Sequence, residues 1–221
     1  MDPKTGNLAV TNYLSVGGSE RGYGDVAIFK NAQGTPSTYF DPQLTSYNYC
    51  AYDDKGNLYV DGHDGPTGTI AELPKNSASF LNITLTKDVG PISMQWLGSS
   101  LVVSSIIPRG VGPQPIYEVQ VSGSSGIVSG PVLLRSLRKL GPRLQVQFLV
   151  HRRTIIGPDQ RHRGNDTLVN FWHYPAGGWP KKIVRHIDAE SLYGVTMSNV
   201  TSVEKHHIRA RSVASEGRDS R

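Results

Sequence analysis

The feature that most constrains the fold is a phrase the chain repeats. "DPKTGNLAVTN" (2–12) and "DDKGNLYVDG" (53–62) both run a polar turn into Gly-Asn-Leu and then an apolar pair. Related phrases recur at "GSSLVVS" (98–104) and "RRTIIG" (152–157), so the anchors Thr11, Asp61, Ser104 and Gly157 lie 50, 43 and 53 residues apart. Periods of this size, in a strand-forming sequence, mark the units of a repeat protein.

Each anchor has the same neighbours. Ahead of it stands an alternating apolar stretch that reads as a strand: "YNYCAY" (47–52), "ISMQW" (92–96) and "VQFLV" (146–150). After it come a loop and a third strand: "DVAIF" (25–29), "GTIAEL" (68–73), "PIYEVQV" (115–121) and "LVNFWHY" (168–174). A fourth follows a turn: "STYF" (37–40), "LNITL" (81–85), "PVLL" (131–134) and "KKIV" (181–184). Aligning "VAIFKNAQGTPSTY" with "VNFWHYPAGGWPKKI" sets Phe29 on Trp172, Gly34 on Gly177 and Pro36 on Pro180. The predicted architecture is an all-β propeller of about four blades, each of four antiparallel strands. The blades fall at about 1–46, 47–91, 92–145 and 146–192, with a lone strand, "YGVTMS", at 193–198.

These phrases, above all "DDKGNLYVDG" and "FWHYPAGGWPKKI", resemble the bacterial NHL-repeat-type, gluconolactonase-like β-propellers. The resemblance implies a propeller, commonly six-bladed and often placed outside the cytoplasm, of which this chain holds about four blades. Two accounts of its ends are expected. The chain is an incomplete six-bladed propeller, or residues 193–198 pair with the N-terminal strands and close a four-bladed ring, hiding two sheet edges. Residues 201–221 are basic, lack alternation and read as a disordered tail. The Arg-dense stretch 134–153 departs from the pattern of its sister units.

Composition excludes several classes. No run of eighteen apolar residues predicts a membrane span, and no basic region followed by an apolar one marks a signal peptide. The single cysteine, Cys50, rules out an internal disulfide and reads as a buried structural thiol. The charge is unevenly divided: residues 1–134 carry 7 Lys/Arg against 11 Asp/Glu, whereas residues 135–221 carry 16 against 7. The basic half shows no aromatic stacking platform or reading helix beside its Arg clusters, so nucleic acid is not expected as a partner.

In such a fold the loops between second and third strands gather on one face. Residues expected there are Asn12, Tyr13, Asp61, His63, Asp64 and Asp159, with "DGHDG" (61–65) the densest polar set. His and carboxylates at this spacing can bind a divalent ion or share a proton, and equally cap the backbone of a turn. The leading expectation is a non-catalytic binding module for a protein, glycan or small molecule. The resemblance implies a rival, a lactonase-type hydrolase holding a divalent metal through Glu, Asn and Asp; a third reading is a truncated propeller without independent function. Trp96 and Trp172 are expected between blades and Trp179 at the surface. Three glycosylation sequons begin at Asn82, Asn165 and Asn199.

Overall fold

The computed structural model describes residues 1–13, 23–64, 67–105, 112–136, 147–159, 167–187 and 194–196. Fifteen strands and one 3-10 turn make it all-β. The strands form four consecutive meanders. The first holds β1 (Leu8–Asn12), β2 (Asp25–Phe29) and β3 (Ser37–Tyr39). The second holds β4 (Ser46–Tyr52), β5 (Leu58–Asp64), β6 (Thr67–Leu73) and β7 (Leu81–Leu85). The third holds β8 (Pro91–Leu97), β9 (Ser100–Ser105), β10 (Gln114–Ser122) and β11 (Ser125–Leu134). The fourth holds β12 (Leu149–His151), β13 (Thr154–Asp159), β14 (Thr167–His173) and β15 (Gly177–Ile187). Pairing within each meander is antiparallel, and short parallel contacts of β11 with β7 and β15 link three meanders into one mixed sheet.

The repeated phrase is a turn built twice from the same chemistry. Asp53 accepts the backbone N–H groups of Lys55 and Asn57 at 2.8 Å each, and the Asn57 side-chain amide at 2.8 Å. Asp2 does the same work for Lys4 N–H at 2.8 Å and the Thr5 hydroxyl. Gly56 (φ 93°) and Gly6 (φ 72°) then take the left-handed conformation that reverses the chain, which glycine enters without steric cost.

The apolar pair after each turn serves two cores at once. Alternate residues of a strand face opposite sides of its sheet. Leu58 and Val60 enter a cluster with Val26 of the first meander and Leu44, while Tyr59 enters another with Met94, Leu101 and Val103 of the third. Likewise Val102 faces the fourth meander, joining Ile155 and Trp172. Three cores therefore lie between four meanders, and each fully buried Leu or Ile contributes roughly 1.5–3 kcal/mol. Side chains add cross-links: Thr11 Oγ1 donates to Asn48 O at 2.9 Å. Gln95 donates to Val150 O at 3.0 Å and accepts Val150 N–H at 2.6 Å.

Several sequence expectations shift in detail. The fourth strand of the third meander begins at Ser125 rather than 131, because Gly123 (φ 56°) and Ser124 close a tight hairpin with Ser122 opposite Ser125. The first strand of the fourth meander pairs only from Leu149. Gly34 (φ 72°) and Gly177 (φ 67°) share the left-handed turn conformation, as aligned. Phe29, however, does not match Trp172. Phe29 pairs with Leu8 and His173 with Thr154, so His173 is its counterpart. A one-residue slip turns a side chain to the other face, which is why Trp172 is fully buried and Phe29 only partly. Residues 194–196 belong to no strand, in contrast to the lone strand expected over 193–198. The expected tail, 201–221, lies outside the described residues, as does half of the Arg-dense stretch, residues 137–146. Among the described residues no helix is long and apolar enough to cross a membrane.

Candidate functional site

The residues expected on one open face divide between surface and interior. Asn12 is exposed at the end of β1, and its amide is tied to the Asp25 carboxylate opposite. Tyr13 is exposed and follows it. His63 is half-buried in β5, and its carbonyl accepts both Thr45 N–H (2.7 Å) and Thr45 Oγ1 (2.9 Å). Asp64 ends β5 opposite Thr67; its side chain lies outside the described set.

Asp61 and Asp159 are not on an open face. Both are fully buried, because β5 and β13 continue as paired strands through positions expected to be loop. Asp159 accepts Ser136 Oγ at 2.8 Å and Asn170 Nδ2 at 3.1 Å. Asp61 Oδ1 accepts Tyr49 N–H at 2.8 Å, while Oδ2 has no hydrogen bond. Burial pushes the Asp61 carboxyl up to about 7, against the opposing pull of Tyr49 N–H and the Asn48 amide. The Asn48 Nδ2 itself completes no hydrogen bond. Ser46, Ser93 and Ser104 likewise carry buried, unbonded hydroxyls, and Ser93 and Ser104 are direct cross-strand partners. Among the described residues no three His, Cys, Asp or Glu groups converge to hold a metal ion.

The sequence reading missed a cleft between the second and third meanders. It measures about 500 Å3 and opens beside the Asp53 turn, with Tyr59, Glu72 and Leu81 on one side and Trp96, Ser99 and Val121 on the other. Trp96 is part of this inter-sheet packing, as expected: it stacks on Tyr59 with ring centroids 5.5 Å apart and planes 8° off parallel, and its Nε1 donates to Gly98 O at 3.1 Å. The stack joins the two meanders and forms one wall. Glu72 accepts the Tyr59 hydroxyl, and its carboxyl is held above the usual range by burial and by the Asp53 charge. Asp53, Asp54 and Glu72 face a single lining cation, Lys55. The opposition is legible only in space, since its members come from two separate segments. The one sequence signal was the paired acid at "DD" (53–54).

A smaller groove of about 360 Å3 runs past Gln43, Asn82 and Asp88. There the amide of the Asn82 sequon is engaged by Asp41 Oδ2 (3.0 Å) and Gln43 Oε1. On the fourth meander Trp179 is exposed, as expected, and Trp172 is buried with Nε1 donating to Arg135 O at 2.8 Å.

No family model matches the sequence, and comparison with curated proteins returned no match. Solved structures similar to the fold include hydrazine synthase of Kuenenia stuttgartiensis, with a TM-score of 0.49 and 12% identity over 73% of this chain and 43% of that one. The computationally designed Ika8 protein is similar at a TM-score of 0.39 and 10% identity, over 79% and 47%. This chain spans less than half the length of each.

Proposed function

We propose that this chain is a non-catalytic binding module, its four meanders set as successive blades of a β-propeller, and that the cleft beside Tyr59 and Trp96 seats a small amine-bearing ligand. The observation that carries the reading is the lining of that cleft: a stacked aromatic pair with three carboxylates around it and one lysine. Carboxylates and aromatic faces both attract an organic cation, more strongly where water is partly excluded. Two of the acids are held in place by neighbouring donors. Asp53 accepts three N–H groups, and Glu72 takes the Tyr59 hydroxyl. The blade arrangement is supported by the side-chain links from Thr11 to Asn48 and from Gln95 to Val150, each of which joins one meander to the next.

Isothermal titration of the full chain with small primary amines, guanidines and neutral saccharides tests the proposal. The cations are expected to bind, and Glu72→Gln to weaken them about tenfold, as loss of a charge-assisted hydrogen bond does. Equal binding of neutral saccharides, or amine binding untouched by Glu72→Gln, overturns it.

A further inference from the structure

The fourth meander carries a different surface from the other three. Six cations, Arg135, Arg152, Arg153, Lys181, Lys182 and Arg185, all stand exposed on it or at its border. The one carboxylate described within the same stretch is Asp159, which is buried and bound to Ser136 and Asn170. Glu118 reaches in from β10, where the Tyr174 hydroxyl engages it. Among the described residues the exposed charge of this sheet is therefore strongly positive, whereas residues 1–134 are acidic by composition.

Aromatic rings lie among these cations. Trp179 is 57% exposed, and Arg135 sits 5.9 Å from its ring centroid. Lys182 Nζ lies 5.2 Å over the half-buried ring of Phe171, its cross-strand partner. The elements are contiguous. Arg135 N–H donates to Gly178 O at 2.7 Å, next to Trp179. Two residues further along β15, Lys181 Nζ donates to Thr154 Oγ1 at 2.8 Å, beside the Arg152–Arg153 turn. A stripe thus runs from Arg135 through Trp179 and Lys181 to Arg153.

Against the expectation from sequence, where Arg135 and Trp179 stand far apart, we infer that this stripe is a binding surface for single-stranded nucleic acid. Phosphates are met by the row of cations, and an unpaired base stacks on Trp179. An exposed indole among cations is the combination that single-strand binding surfaces use, because every base offers a ring face while the backbone needs only charge. A duplex hides its base faces and has no use for the indole; a sulfated polysaccharide needs charge alone. The surface is separate from the amine cleft, which lies between the second and third meanders.

The test is fluorescence anisotropy of a labelled twelve-nucleotide oligothymidylate against the full chain, with a duplex of equal length and heparin as competitors. Single strands with several phosphate contacts lose affinity steeply with salt, and about four contacts give roughly a fifty-fold loss between 50 and 200 mM. Trp179→Ala is expected to weaken binding at least fivefold with the salt slope unchanged. The double variant Lys181→Gln, Lys182→Gln is expected to lower the slope by about 1.4. Both variants alter exposed side chains, and circular dichroism checks that each keeps the fold. The inference is overturned by no binding at 50 mM salt, by Trp179→Ala binding as the parent does, or by duplex or heparin competing better than the single strand.

Discussion

Replacing Asp61 with Asn isolates the cost of a buried carboxyl. The side chain is fully buried, one oxygen accepts Tyr49 N–H and the other has no hydrogen bond. Burial raises its pKa from an ordinary 3.8 to about 7. In the folded state the group keeps its proton until near neutrality, whereas unfolded it ionises near pH 4. Between these values the native state binds more protons, so stability falls as pH rises, and above about pH 8 the loss is complete. Below pH 4 both states are protonated and Asp61 has no pH-linked effect. At 1.36 kcal/mol per pKa unit, the loss between pH 5 and pH 8 is about 3 kcal/mol. Asn retains an oxygen for Tyr49 N–H and never ionises, so Asp61→Asn removes this dependence. Urea unfolding followed by circular dichroism at pH 5 and pH 8 measures it. The parent midpoint should fall by about 1–2 M more than the variant's, at an ordinary urea sensitivity. Glu72, also held up by burial, shifts stability in the same direction but is common to both proteins and cancels. A variant that loses as much stability as the parent between the two pH values refutes the reasoning.

Gln95→Ala strips the side-chain bonds to both backbone groups of Val150, and two such bonds contribute about 2 kcal/mol together. The urea midpoint should drop accordingly, and an unchanged midpoint means the link between β8 and β12 contributes nothing. Cys50 is half-buried rather than fully buried as the sequence suggested, and loss of solvation pushes its thiol up to about 12, so its reaction with a disulfide reagent at pH 8 should run roughly a thousandfold slower than that of a free thiol. Denaturant should unmask it, and a free-thiol rate in the native protein counts against that loss of solvation.

The strands were legible because their apolar residues alternate or run together where a sheet packs against its neighbours, and the turns because Asp and Gly at fixed spacing leave a mark in sequence. Leu58, Tyr59 and Val60 serve two cores in three residues, and that double duty is what the repeated apolar pair records. The facing of a side chain was less secure. Phe29 and Trp172 look equivalent in letters, yet the ladder places His173 opposite Thr154 and moves the match by one residue. The amine cleft was hidden for another reason: Asp53, Glu72 and Trp96 meet only when the second meander packs on the third. The same holds for Arg135 and Trp179, which are 44 positions apart and neighbours only through the parallel contact of β11 with β15.

Asp61, Ser93 and Ser104 mark where folding logic is set aside. All three are buried in strands, and each has a polar atom with no hydrogen bond. An unmet buried polar atom costs about 1–3 kcal/mol, so apolar residues there would stabilise the sheets. Yet Thr11, Asp61 and Ser104 occupy the same place in three meanders, directly after the apolar pair in the strand that follows the turn. Strand propensity does not ask for polar side chains at that register, and the neighbouring Val10, Val60 and Val103 show what it does accept. Polarity at this register is thus repeated along the chain, whereas its exposure is not. That separation explains why these positions read correctly as repeats and incorrectly as open loop: the repeat lies in the ladder, and the exposure depends on the neighbouring sheet.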